Sequence, residues 1–191
     1  MNTSAQWMRL ATVLRAIALA LTLGLPASTA VAAKLPGEYE VKASFLYNFI
    51  AFTEWPETAF ETTASPIVIG VLGKDSFGSA LDAMMNGERI KERPLVVWHL
   101  TRTEDMNRCH ILFVSASEAK QLGDIIRQLK TQPVLTVSDI PGFAEAGGAV
   151  GFTPTGTVKL TINQEAIRTA HLGLSAKLLR LAKLVDRPPP P

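Results

Sequence analysis

Three histidines, His99, His110 and His171, and one cysteine, Cys109, have the widest chemical range in this chain. Metal and hydrolytic centres need such groups at short spacings, as in H-E-x-x-H on a helix face or G-x-S-x-G at a strand-to-helix turn. Neither pattern occurs, and the histidines lie too far apart in sequence to read as paired ligands. His99 and His110 therefore read as ordinary polar residues. Gly70-Val71-Leu72-Gly73-Lys74-Asp75 has the glycines and lysine of a phosphate loop. It lacks the glycine-to-lysine spacing and the hydroxyl residue after the lysine, so a tight strand-to-helix turn explains the glycines better. Parallel strands would gather Lys74, Asp75, Ser76, Ser115, Ser117, Ser138 and Asp139 around a crevice at their carboxyl ends. That set contains no nucleophile beside a base. No catalytic residue, metal site or cofactor is expected, and the chain reads as a non-enzyme. Cys109 has no mate for an internal disulfide; it reads as a small buried apolar residue, with a redox role or an intermolecular bridge as the alternatives.

The elements that would position these residues follow from periodicity. Ile67–Leu72, Pro94–Leu100, His110–Val114 and Val134–Val137 are short apolar runs rich in β-branched residues, as strands buried on both faces are. Asp75 or Ser76 is placed to cap a helix running to about Met85, and Ser115 or Ser117 a helix over Glu118–Leu129. Alternation of strand and helix implies a single α/β domain: a three-layer sandwich with a mostly parallel sheet flanked by helices. Residues 149–153 and 157–162, joined by Pro154-Thr155-Gly156, read as a hairpin on one sheet edge.

The two strongest helical patterns lie at the ends of the domain. Over residues 38–56, Val41, Phe45, Phe49 and Phe52 form one apolar line, and Tyr39, Ala43, Leu46 and Ile50 a second beside it. Only Glu40, Ser44 and Asn48 form a polar stripe, before Trp55-Pro56 ends the helix. The second line is read as covered either by a second copy or a partner, or by the last helix of the same chain. That last helix is expected to begin at Asn163 as its cap, with Glu165 in the first turn. It continues through Ile167, Leu174, Leu178, Leu181 and Leu184. Lys177, Arg180, Lys183 and Arg187 then read as a solvated basic helix end, the alternative being contact with an acidic partner or an anionic membrane surface. His171 is read as a plain surface histidine or as one that titrates near neutrality and holds a ligand carboxylate.

The first 33 residues read as a cleaved secretory signal. Arg9 and Arg15 flank the start, Ala16–Leu25 is apolar and too short for a comfortable membrane span, and Ala30-Val31-Ala32 suits the cleavage site. Removing two arginines from 19 basic residues leaves 17 against 17 acidic ones, so the exported chain has no general attraction for nucleic acid. The domain is expected over residues 34–187, with Pro188–Pro191 as a stiff disordered tail. Location in the periplasm follows from this reading, without stable membrane insertion.

Three stretches carry a family resemblance. They are Val41–Phe49 continuing to Phe52-Thr53-Glu54-Trp55-Pro56; Ile69–Asp75 with Phe77-Gly78; and Ile162-Asn163 with Ala166, Gly173–Leu179 and Leu181-Ala182. With Gly147-Gly148 they resemble the YfiR family of periplasmic proteins over nearly the whole exported chain. The resemblance implies a repressor that binds the periplasmic sensor domain of an inner-membrane diguanylate cyclase and keeps it off. Its release would raise cyclic di-GMP and favour biofilm. It also implies a homodimer and a small aromatic ligand; the family's internal disulfides have no counterpart in a chain with Cys109 alone. A binding protein for an aromatic metabolite without a cyclase partner is the alternative. The partner or dimer surface is expected at Tyr39, Leu46, Tyr47, Ile50 and Trp55. Polar contacts are expected from Lys42, Asn48, Glu165, His171 and Lys177.

Overall fold

β2 (Ile67–Leu72) is buried along all six residues, so it needs cover on both faces. A computed structural model of the chain, describing residues 37–153 and 158–185, shows how that cover is built. The leader, the turn at residues 154–156, Arg187 and the proline tail lie outside the described residues. α1 (Glu38–Phe52) is followed by a two-residue strand, β1 (Thr53–Glu54), and, after β2, by α2 (Ser79–Met85), β3 (Arg89–Ile90) and β4 (Arg93–Leu100). Next come β5 (Ile111–Val114), α3 (Leu122–Leu129), β6 (Leu135–Ser138), β7 (Val150–Thr153) and β8 (Lys159–Asn163). The chain then runs through α4 (Gln164–Thr169), β9 (Gly173–Leu174), α5 (Ala176–Leu179) and β10 (Ala182–Val185).

Eight strands form one sheet in the order β10-β8-β7-β6-β5-β2-β4-β3, and β1 and β9 form a separate two-stranded ladder. All pairings in the large sheet are parallel except β7 with β8 and β3 with β4. Alternation along the strands divides the core. Ile67, Ile69 and Val71 of β2 join Ile111, Phe113, Leu135 and Val137 in a cluster with residues of α1 and α2. Val68, Leu72, Leu112 and Val114 face the other way, into a cluster with Ile125 and Leu129 of α3. The three-layer α/β sandwich expected from the sequence is the observed architecture.

Four local expectations are corrected. The β7–β8 pair is an antiparallel hairpin, but β10 pairs in parallel along the outside of β8, so the hairpin does not form the sheet edge. Neither Asp75 nor Ser76 caps α2: Gly78 stands at the N-cap, and the Asp75 carboxylate accepts from Phe77 N at 2.8 Å in the preceding turn. The segment after β5 begins as a 3-10 turn, Ala116–Gln121, and no serine side chain caps it. The long final helix does not form. α4 ends after one and a half turns because His171 adopts φ +56°, while Leu172 N bonds to Ile167 O and His171 N to Arg168 O. These two bonds and the left-handed residue make a Schellman stop, a position glycine usually fills. Beyond it, strand pairing takes Leu174 into β9 and Leu184 into β10, and only the single turn of α5 around Leu178 stays helical.

α1 carries its two apolar lines because two sets of neighbours use them. Phe45 and Phe49 meet Phe152 of β7 at ring distances of 5.8 and 6.1 Å. On the other side α1 packs against α2, Tyr39 lies edge-on to Phe77, and Leu46 and Ile50 join Leu81 and Met85 in one buried cluster. Leu46 is 0% exposed and Ile50 2%. The second line is therefore sealed within the chain, chiefly by α2, and not by a last helix. A glutamate there would place an unpaired charge in the core. Leu46→Glu is predicted to abolish cooperative urea unfolding of the exported chain, whereas Glu at the exposed Asn48 changes stability by less than about 0.5 kcal/mol.

Candidate functional site

The crevice expected at the carboxyl ends of β2 and β5 is closed by its own loops. Lys74 N donates to Ser117 Oγ at 2.9 Å, and Ser117 Oγ donates to Glu118 at 2.8 Å. Gly73, at φ +89°, accepts this close approach because it has no Cβ to meet Ser117 and Glu118. The Ser138 hydroxyl is used internally, donating to Val114 O at 2.7 Å and accepting from Ile140 N at 3.0 Å.

Asp139 belongs to a different construction. Its Oδ2 accepts from Lys42 Nζ at 2.6 Å and from Tyr39 Oη at 2.8 Å, tying the first turns of α1 to the loop after β6. Both charged side chains are deeply enclosed, Lys42 at 3% exposure and Asp139 at 9%, and Glu38 gives Lys42 a second partner at 2.6 Å. Burial works against the Lys42 ammonium, but the hydrogen bonds to Asp139 and Glu38 outweigh it and hold its pKa above the ordinary lysine value. Burial also raises the Tyr39 phenol, with Ser76 opposing and Asp139 adding to the shift. This cluster fastens α1.

The other expected contact residues do not converge. Tyr47 Oη donates to Glu88 at 3.3 Å, and Trp55 Nε1 donates to His110 O at 3.2 Å. Asn48 is exposed and donates to Ser44 O. His171 and Lys177 are exposed beyond α4, while Glu165 pairs with Arg168 and accepts from Thr169 Oγ1. Cys109 is buried beneath Gly70, and burial, with Asp105 adding, pushes its thiol up to about 12, far from a reactive thiolate.

One cavity was not foreseen. About 380 Å³ lies between α3 and α4, walled by Ile126, Leu129, Ala149, Ala166 and Ala170. The sheet contributes Thr136 and Asn163, and Arg127, Lys130, Glu145 and Glu165 supply its charges. Asn163 caps α4 through Ala166 N, as expected, and its amide also donates to Ala144 O at 2.8 Å. The size suits a small organic molecule. These residues come from four separate chain segments, so no sequence spacing announced the cavity. Among the described residues there is no metal-ligating cluster and no helix long and apolar enough to cross a membrane.

A family profile described as YfiR/HmsC-like matches residues 39–183. The chain belongs to the YfiR/HmsC-like family. The YfiR-like family is one of periplasmic regulatory proteins. No curated protein matches the chain. Among solved structures, a conserved domain protein from Vibrio cholerae is 12% identical, with 78% of this chain and 60% of that one covered at a TM-score of 0.49. An ABC domain from Streptococcus pneumoniae in complex with L-Trp is 11% identical, with 62% and 55% covered at a TM-score of 0.44. The matched regions therefore span less than two thirds of either solved chain.

The Lys42–Asp139 pair yields a direct test of how α1 is held. Removing Lys42 leaves the enclosed Asp139 carboxylate with only the Tyr39 hydroxyl, so Lys42→Met is predicted to cost about 3–5 kcal/mol in urea unfolding. The double variant Lys42→Met/Asp139→Leu should recover most of that loss.

Proposed function

We propose that this protein represses an inner-membrane diguanylate cyclase by binding the cyclase's periplasmic sensor domain, thereby lowering cyclic di-GMP signalling and biofilm formation. The family match across residues 39–183 carries this reading. Repression then requires the bound complex to hold the sensor domain in its inactive arrangement, and an input that favours the free state releases it.

The surface we assign to this contact is the carboxyl-terminal segment beside the exit of α1. β9 pairs with β1 through Thr53↔Leu174 and Glu54↔Gly173, and Ser175 N donates to Phe52 O at 2.9 Å. Gly173–Ser175 are therefore held at the end of α1, with His171 just before them in the chain and Lys177, Leu181 and Leu184 after them. Leu181 is 76% exposed and Leu184 43%, and they are the large hydrophobic residues most open to solvent among those described. Exposed apolar side chains among basic ones suit a partner with an apolar patch and acidic surroundings. The same surface serves a homodimer if the chain pairs with itself. Leu181→Glu/Leu184→Glu is predicted to leave unfolding unchanged and weaken co-purification with the periplasmic sensor domain of the cyclase at least tenfold. Unchanged capture by the double variant, or no capture by the native chain, contradicts the assignment.

The cavity between α3 and α4 supports a second reading, a periplasmic receptor for a small aromatic metabolite. In that case a ligand raises the melting temperature of the native chain, and Ala166→Trp, which fills the cavity, removes the rise. A screen of aromatic metabolites that moves neither protein counts against it.

A further inference from the structure

His110 sits where β5 begins, beneath the segment of residues 55–66 that joins β1 to β2. Both of its ring nitrogens are occupied by backbone. Nδ1 accepts from Val68 N at 3.1 Å, and Nε2 lies 3.1 Å from Ala59 O, to which it can only donate. The pair of contacts fixes a neutral ring with its proton on Nε2. Phe60 stacks on the ring at 4.5 Å, Trp55 meets it edge-on at 6.0 Å, and the indole N–H of Trp55 donates to His110 O. His110 thus holds three points of the 55–66 strap: its ring binds Ala59 O and stacks on Phe60, and its backbone carbonyl accepts from the Trp55 indole.

A second proton has one place to go, Nδ1, and there it would face the Val68 N–H. The ring would then lose its acceptor role, leave a buried amide donor unsatisfied and bring a cation into an enclosed site. Compensation is absent from the neighbouring strands, since β2 and β6 contain no ionisable residue. From β4, Arg93 adds a like charge: its guanidinium lies 3.7 Å from the Phe60 ring centroid and donates to Thr62 O and Ser65 O. Glu57 and Glu61 of the strap are exposed, and Asp105, before β5, is engaged by Arg108.

We propose that His110 is an acid-released pin: neutral, its ring clamps the 55–66 strap to the sheet, and protonated, it lets the strap go at Ala59 and Phe60. The strap continues directly from β1, which holds β9, so release loosens the junction between the exit of α1 and the carboxyl-terminal segment. The input is proton concentration outside the cytoplasm, and the inference is independent of which partner or ligand the protein binds.

The sign follows from the ring's surroundings. Burial lowers its pKa, the Ala59 carbonyl opposes that shift, and the Arg93 charge adds to it. A released ring takes up its proton near the ordinary histidine value of about 6.5, while the clamped ring does not. Clamping is therefore complete above that pH and weakens as pH falls below it, with opening favoured up to about tenfold per pH unit.

Hydrogen exchange of the exported chain from pH 7.5 to 5.0, corrected for intrinsic rates, tests this directly. Residues 55–66 should lose protection below about pH 6.5 while α3 keeps its own. His110→Gln, which cannot gain charge, should remove the pH response, whereas His99→Gln/His171→Gln should retain it. Nitrogen-15 shifts of the native chain provide a readout that does not depend on a variant folding. They should show an Nε2–H ring at pH 7.5 and proton uptake at Nδ1 in step with strap opening. Flat strap protection to pH 5.0, an equal response in His110→Gln, or an Nδ1–H ring at neutral pH would each overturn the proposal.

Discussion

The burial of the parallel strands on both faces is the constraint from which the rest of the structure follows. A strand such as β2, with no exposed residue, is stable only between two apolar layers. α1 and α2 provide one layer, α3 and its flanking turns the other. α1 packs on the sheet along one side and on α2 along another, which is why it carries two apolar lines. An abundance of hydrophobic residues on one helix therefore has an internal explanation here. The Lys42–Asp139–Tyr39 cluster then fixes the direction and depth at which that helix sits.

The same packing explains where the outer surface remains open. Once α1 is sealed by β7 and α2, the apolar residues left in solvent lie at the far end of the sheet, on and before β10. His171 turns the chain out of α4, the β1–β9 ladder returns it to the end of α1, and β10 closes the sheet edge beyond β8. Short strands and one-turn helices in this segment depend on non-local pairing, so the region is suited to respond to a partner or to a change at the neighbouring strap.

Legibility in the sequence tracked how local each determinant was. The strands β2, β5 and β6 are legible because their burial on both faces writes a continuous apolar run, and β4 carries a similar run although only Leu95 and Leu100 in it are buried. α1 was visible as a helix, and Asn163 as a cap, because both depend on residues within a few positions. The final segment was misread because its leucines satisfy a helical period. The residue that stops the helix is a histidine in a left-handed conformation where glycine is the usual signal. Of the anticipated contact residues, Leu46 and Ile50 proved to be core and Lys42 proved to be paired with Asp139, 97 positions away. No spacing rule reports a contact of that kind, and the same holds for the cavity between α3 and α4.

Family membership and the exposed leucines of the carboxyl-terminal segment are the observations behind the proposed docking role. The account turns on α1 being sealed internally and the carboxyl-terminal segment being the open surface. Hydroxyl-radical footprinting of the exported chain, alone and mixed with the cyclase sensor domain, measures both at once. The account predicts strong labelling of Leu181 and Leu184 in the free chain, loss of that labelling in the mixture, and no labelling of Leu46 or Ile50 in either sample. Labelling of Leu46 and Ile50 in the free chain, suppressed by the sensor domain, would contradict it.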